Sequence, residues 1–298
     1  MLHEVMTSEL EQAMRLTQSN LPKSIVVHHW LHLRLYTPSL SSIRDSDLSI
    51  CYANRWPEPS ALFVIDLLPF SGIDRYPYVA FFASDDEPMD NILTFLRTIN
   101  ARHRFSEAEG FLVVSLPTYW LQLFQQAFCD GPLVLNVLKE MQVYWLPPER
   151  ICELNSTIEA LQFDKRFYVD TLREEDAKLV DSCWAHRFEQ SCLLIRDRIN
   201  RFPNACFRSK SDNSLAAFVL VDSEYGYLNN LFVFPNFRRL GLGSAVELLL
   251  LQKLTKMGII PYKHVVLDNK PSLQMTSKSK LWQNAGFHSY WLQLSQAI

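Results

Sequence analysis

Asn230 to Leu254 reads NLFVFPNFRRLGLGSAVELLLLQKL. A strand-like apolar run reaches Pro235, two arginines and two glycines follow, and a helical pattern then begins. The first amides of a helix lack intrahelical partners and carry partial positive charge. Such an end can hold phosphate. Gly241 and Gly243 remove side chains that would keep an anion from the backbone. Arg238 and Arg239 add fixed charge and forked donors. The spacing is neither the P-loop nor the dinucleotide fingerprint, because no Lys-Ser/Thr and no third glycine follows. The residues fit a pyrophosphate cradle, and they fit equally a glycine-softened turn with solvated arginines.

The rest of the chain sets the context. Its 298 residues suggest about two domains. A net charge of −3 gives no basic footprint for nucleic acid. No apolar run approaches the ~20 residues that span a bilayer. The N-terminal stretch carries Glu4, Glu9 and Glu11, reads as neither a signal nor a transit peptide, and suggests a helix opened by Ser8 and Glu11. Cytoplasm is the default expectation. The six cysteines form no C-x-x-C and suggest reduced, buried thiols.

Strands alternating with helices predict an α/β protein. In the first half, SIVVHHWLHLRLY, ALFVIDLL, YVAFFAS and EGFLVVSL read as strands. DEPMDNILTFLRTIN and TYWLQLFQQAF read as helices. The pattern loosens after Pro147 and Pro148, which sets a boundary near 150–165 and two domains, 1–160 and 161–298. The second half predicts a strand, a helix capped by Thr171 with Glu174, and a helix ending at Pro203. A hairpin turning near Ser223–Gly226 comes next, then the cradle and its helix. The strand HVVLDN, a helix from about Pro271 and a last strand complete the order.

On these residues a resemblance rests. VFPNFRRLGLGSAV resembles the acetyl-CoA motif of the GCN5-related N-acetyltransferase (GNAT) superfamily, V-x-P-x-x-R-x-x-G-x-G, and VVLDNKPS…LWQNAGF resembles its next motif. GIIPYKHVVLDNKPSLQ is similar to glycine N-acyltransferase-like proteins. RLYTPSLSS and NRWPEPSALFVID resemble the N-terminal domain of that family. The resemblance implies a mixed-sheet α+β arrangement: a C-terminal GNAT fold behind a divergent GNAT-like domain. It implies acyl transfer from acetyl-CoA or another acyl-CoA to a small amine or an amino acid such as glycine. Pantetheine would pair along Leu231, Phe232 and Val233. The pyrophosphate would lie on Arg238, Arg239, Leu240, Gly241, Leu242, Gly243 and Ser244, with Asn269 and Ser272 nearby. Some members of that family are mitochondrial.

The catalytic residues depart from the pattern. The family's glutamate base falls at Tyr227, whose ordinary pKa near ~10 suits a base poorly. Glu224 stands in the predicted turn. His264, in the strand YKHVVL, is a candidate base near neutral pH. The tyrosine expected to protonate the thiolate falls at Trp282. A second reading is therefore an acyl-CoA-binding module with impaired catalysis, and a third an interaction scaffold. Asn229 and Asn230 fit either substrate binding or a bulge, and Asn269 a helix cap. His28, His29 and His32 sit on a predicted strand as structural histidines, so no metal is expected. Cys206 is not expected as a nucleophile. Neither nucleic acid nor membrane is an expected partner, and oligomeric state is open.

Overall fold

A computed structural model describes residues 2–37, 49–67, 76–105, 110–129, 133–222 and 225–296. In chain order it forms β1 (His3–Glu4), α1 (Leu10–Ser19), α2 (Ile25–Tyr36), β2 (Ser49–Ala53), β3 (Ala61–Asp66) and β4 (Tyr78–Ala83). Then come α3 (Met89–His103), β5 (Gly110–Pro117), α4 (Leu121–Phe128), β6 (Leu133–Trp145) and α5 (Ile151–Glu159). β7 (Phe167–Asp170), α6 (Ala177–Ser182), α7 (Ser191–Arg201), β8 (Asn204–Ser209), β9 (Leu215–Asp222) and β10 (Tyr227–Val233) follow. The chain ends with α8 (Leu242–Lys256), β11 (Tyr262–Val266), α9 (Lys270–Lys278) and β12 (Gln283–Gln296). This is the mixed α/β class expected.

Two compact units form. One gathers residues 1–143, 266–268 and 285–298, the other 144–265 and 269–284. In the first unit the strand order is β1-β2-β3-β4-β5-β12-β6. β4 and β5 are parallel, while β12 runs antiparallel to β5. Its core packs Phe63, Phe81 and Phe111 against Ile92, Phe95 and Leu96 of α3 and Phe124 and Phe128 of α4. Phe63 and Phe124 stack at 6.4 Å, which adds ring geometry to area burial.

In the second unit the order is β11-β10-β9-β8-β7. β7 to β10 pair antiparallel, and β10 meets β11 in parallel. Alternation along β9 sends Phe218 and Leu220 into one core with Val180 of α6 and Ile195 and Ile199 of α7. β9 also packs against α8.

Three local readings of the sequence need correction. SIVVHHWLHLRLY folds as α2, not as a strand. Ile25 to Leu31 and Leu33 are all buried, so the helix has no polar stripe to reveal a 3.6-residue period. His28 and His32 are thereby one helical turn apart, with ring centroids 6.3 Å apart. Thr17 Oγ1 lies 3.1 Å from His28 Nδ1. Among the described residues no group of three His, Cys, Asp or Glu could hold a metal ion.

The Ser8–Glu11 cap is replaced by Glu9, whose carboxylate accepts the Met6 amide at 2.8 Å and meets His3 at 2.9 Å. Thr171 caps nothing. The Leu172 amide donates to Asn204 Oδ1 at 2.7 Å and carries the chain onward, and the Arg173 amide donates to Asp176 at 2.8 Å instead. Ser223 and Glu224 lie outside the described residues, as do residues 38–42 of RLYTPSLSS. No disulfide joins the six cysteines, but only Cys51 and Cys206 are buried, and Cys152 is exposed.

Candidate active site

The hairpin β9–β10 brings the opening stretch into place. Tyr227 pairs with Asp222 and Leu228 with Val221, but the register shifts between Asn229 and Phe232. Asn230 takes a left-handed φ of 53° in that bulge. This is the bulge that the asparagine pair allowed, since asparagine tolerates that conformation better than most residues. β10 registers with β11 at Leu228↔Lys263. That is the register recorded between them, and it does not extend to the stretch Leu231–Val233.

After Val233, Phe234 and a short turn at Pro235–Phe237 lead to Arg238. Arg238 Nε donates to Val233 O at 3.0 Å, and its guanidinium lies 5.7 Å from the Phe232 ring centre. Arg239 and Gly241 are both left-handed, at φ 62° and 77°. Backbone turned this way presents amides into a concavity suited to anions. The amides of Leu242, Gly243 and Ser244 precede the bond from Ala245 N to Gly241 O, and no side chain caps the end.

The two glycines act differently. A Cβ on Gly241 would meet nothing within 4 Å, so the space over the helix end is open. A Cβ on Gly243 would lie 3.2 Å from Val233 Cγ2 and 3.8 Å from Met275 Sδ. Gly243 thus lets α8 sit close to β10 and α9. Arg238, Arg239, Gly241 and Ser244 are exposed, Leu231, Phe232, Val233 and Leu240 half-buried, and the Leu242 side chain is in the core. At the start of α9, Asn269 Oδ1 accepts the Ser272 amide at 3.2 Å, the cap expected of it.

On β9 and β10 lies a buried polar cluster that the sequence reading did not assemble. Asp222, 3% exposed, accepts the Tyr227 hydroxyl and, at 2.7 Å, the Asn229 amide. Arg198 of α7, 4% exposed, forms an ion pair with the same carboxylate, and Trp184 lies 5.3 Å from its guanidinium. The one available signal was a charged residue closing the apolar run LAAFVLVD.

His264 packs its ring edge-on to Tyr227 at 4.9 Å and Tyr262 at 5.4 Å. Both its ring nitrogens are buried without a hydrogen-bond partner among the described residues. Burial pushes it down to about 3. At neutral pH it is a neutral imidazole, too weakly basic to take a proton from an ammonium group. The Tyr227 hydroxyl is engaged as a donor to Asp222. Trp282 donates to Glu247 at 2.9 Å, Glu247 pairs with Lys263 at 2.5 Å, and all three are buried. Cys206 is fully buried and pushed up to about 12, which leaves no thiolate for nucleophilic attack.

The depressed histidine has a consequence for stability. The unfolded chain takes up the proton near pH 6.5, whereas folded His264 resists until about 3. Stability from this group is full above pH 6.5 and declines as the pH falls through that window. His28, pushed down to about 4 by burial, adds the same sign. The urea midpoint should fall between pH 7 and pH 5, and should fall less in His264→Phe.

Comparison with known proteins follows the same geometry. Residues 206–292 match the family model described as FR47-like protein. No curated protein matches the chain. A Drosophila protein of solved structure is similar at 17% identity, with TM-score 0.74 and 98% of each chain covered. A tandem GNAT protein from the clavulanic acid biosynthesis pathway, solved without AcCoA, is similar at 11% identity, with TM-score 0.55 and 99% and 98% covered. A GCN5-related N-acetyltransferase from Sphaerobacter thermophilus is similar at 12% identity, with TM-score 0.51 and 99% and 95% covered. At such identities the structural likeness speaks for fold alone, the fold of GNAT proteins, and the family match is confined to residues 206–292.

Proposed function

We propose that the chain is an acyl-CoA-dependent N-acyltransferase acting on a small amine or an amino acid such as glycine, in the manner of glycine N-acyltransferase-like proteins. The observation that carries this reading is the uncapped start of α8, open above Gly241 and flanked by Arg238 and Arg239. The backbone of residues 239–244 would hold the pyrophosphate, with the arginines adding charge. Pantetheine amides suit the strand edge at Leu231–Val233, although Arg238 already occupies the Val233 carbonyl. Asn269 and Ser272 open α9, which touches the cradle through Met275. Bound acyl-CoA would supply an activated acyl carbon: the acceptor nitrogen would bond to it as the C–S bond breaks, and the proton lost from nitrogen would end on the CoA thiolate.

The side chains below the cleft bind and orient rather than remove protons. The Tyr227 hydroxyl donates to Asp222, and His264 is neutral and weakly basic. On this reading the amine reacts in its free-base form, with no proton taken up by Tyr227 or His264. With two acceptors of different ammonium pKa, kcat/KM should rise with pH to each acceptor's own pKa. A plateau at one shared pH near 6.5 would instead identify a protein base.

The tying up of Tyr227 and Trp282 also favours a second reading, an acyl-CoA-binding module that does not turn over. Thiol release from acetyl-CoA across an amino-acid panel separates the two. Release with any acceptor supports the transferase, and binding without release supports the module.

A further inference from the structure

The first unit holds a cleft of about 530 Å³ beside α3 and the turn that follows β2. That volume falls within the ~300–1,000 Å³ of small-ligand sites. Leu2 and Phe95 supply its apolar lining. Its polar lining starts from a buried carboxylate. The Glu87 side chain is only 3% exposed. Its oxygens accept Asn91 Nδ2 at 3.0 Å, Ser60 Oγ at 2.5 Å and Arg55 Nη1 at 2.9 Å. The carboxylate is thereby satisfied within the protein, and it fixes two side chains of the cleft, Arg55 and Asn91.

What those side chains still offer defines the ligand. Arg55 also donates Nε to Glu58 O at 2.8 Å, which leaves Nη2 an open donor among the described residues. Asn91, engaged through Nδ2, keeps Oδ1 to accept. Thr94 and Thr98 give their hydroxyl protons to the carbonyls of Asp90 and Thr94 at 2.8 Å and 2.7 Å. Each of these hydroxyls can then only accept. Asn91, Thr94 and Thr98 share one face of α3 and cover about 10 Å of it at 1.5 Å per residue. The cleft thus sets a row of acceptors on the helix and a donor at Arg55.

A charged ligand meets half of that pattern. An ammonium would satisfy the acceptors and leave Nη2 without an acceptor. A phosphate would satisfy Nη2 and leave the acceptors unmatched. It would also meet Asp86 and Asp90, exposed around the start of α3, the first within electrostatic reach of Arg55. A neutral polyol meets both halves, because every hydroxyl donates and accepts. The C–H face of a sugar ring suits the lining of Leu2 and Phe95.

We infer that this cleft is a binding site for a neutral polyhydroxylated ligand, a mono- or disaccharide, held between Arg55 and the face of α3 at Asn91, Thr94 and Thr98. The site stands apart from the acyltransferase reading, and CoA need not bind for a sugar to do so.

The test is binding of D-glucose, maltose and cellobiose by saturation-transfer NMR and calorimetry, with glucosamine and glucose 6-phosphate as charged controls. At least one neutral sugar should bind with a dissociation constant of about 1 mM or tighter. The two charged controls should bind about tenfold more weakly. Thr94→Val and Thr98→Val remove one acceptor each at exposed positions, and each should weaken binding about threefold to tenfold. Arg55→Lys keeps the charge beside Glu87, removes the second nitrogen and should weaken binding to the same extent. Binding of none of the three sugars overturns the site. So does binding that is unchanged in all three variants, or a charged control that binds as tightly as glucose.

Discussion

Gly241→Glu should abolish measurable binding of CoA and acetyl-CoA while leaving the protein folded. Gly241 sits at φ 77°, where a side chain costs about 1–2 kcal/mol. That strain is small beside the electrostatic effect. The new carboxylate would stand in the open space over the start of α8 and accept its free amides. A negative group is welcome there for the helix, so α8 persists. It is unwelcome to a phosphate, which loses those amides and meets a like charge. Charge-assisted hydrogen bonds contribute about 1.5–3 kcal/mol each, so losing two weakens binding by roughly a hundredfold or more. Gly241→Ala isolates the strain. Its Cβ meets no atom within 4 Å and adds no charge. It should lower affinity by about tenfold at most. Calorimetric titration of CoA, beside thermal melts of both variants, decides the matter. Equal affinity in Gly241→Glu and the parent would remove the cradle from the argument.

Legibility in the sequence followed the range of the interactions involved. The strand-to-helix turn was readable because it is local: the turn, the arginines, the glycines and the helix start all lie within residues 234–244. The Asn269 cap was readable for the same reason, being set by an amide three residues on. The α2 segment was misread because burial on nearly every side erased its helical signature. The polar cluster under the cleft could not be read. Arg198, Asp222 and Tyr227 come from α7, β9 and β10, and only the fold brings them to one place. His264 looked like a base because its ordinary pKa suits one, and burial among Tyr227 and Tyr262 removes that capacity. Chemistry set by backbone pattern survives translation from sequence, whereas chemistry set by desolvation does not.

Asp222→Ala should cost about 3–5 kcal/mol of folding stability, the range for a buried ion pair stripped of one partner. The carboxylate is the shared acceptor for Arg198, Tyr227 and Asn229. Its removal takes from a guanidinium that is 4% exposed the carboxylate it pairs with. It also leaves a buried phenol and a buried amide to find other partners. Asp222→Asn keeps the shape but not the charge, and should fall between the parent and the alanine variant. Because the damage is chiefly the stranded charge, Arg198→Met combined with Asp222→Leu should recover most of the loss, as apolar replacements of buried pairs commonly do. Urea unfolding of the two single variants and the double variant tests this directly. A double variant as unstable as Asp222→Ala would mean that the tyrosine and asparagine contacts dominate. The same series bears on function. On the proposed reading CoA is held by the start of α8, so the double variant should still bind CoA. The acceptor side of the cleft loses the anchor of Tyr227 and Asn229, and acceptor binding should weaken there. Stability restored while acceptor selectivity stays lost would identify Asp222 as the group that orients the cleft, with its ion pair serving to keep that carboxylate buried and in place.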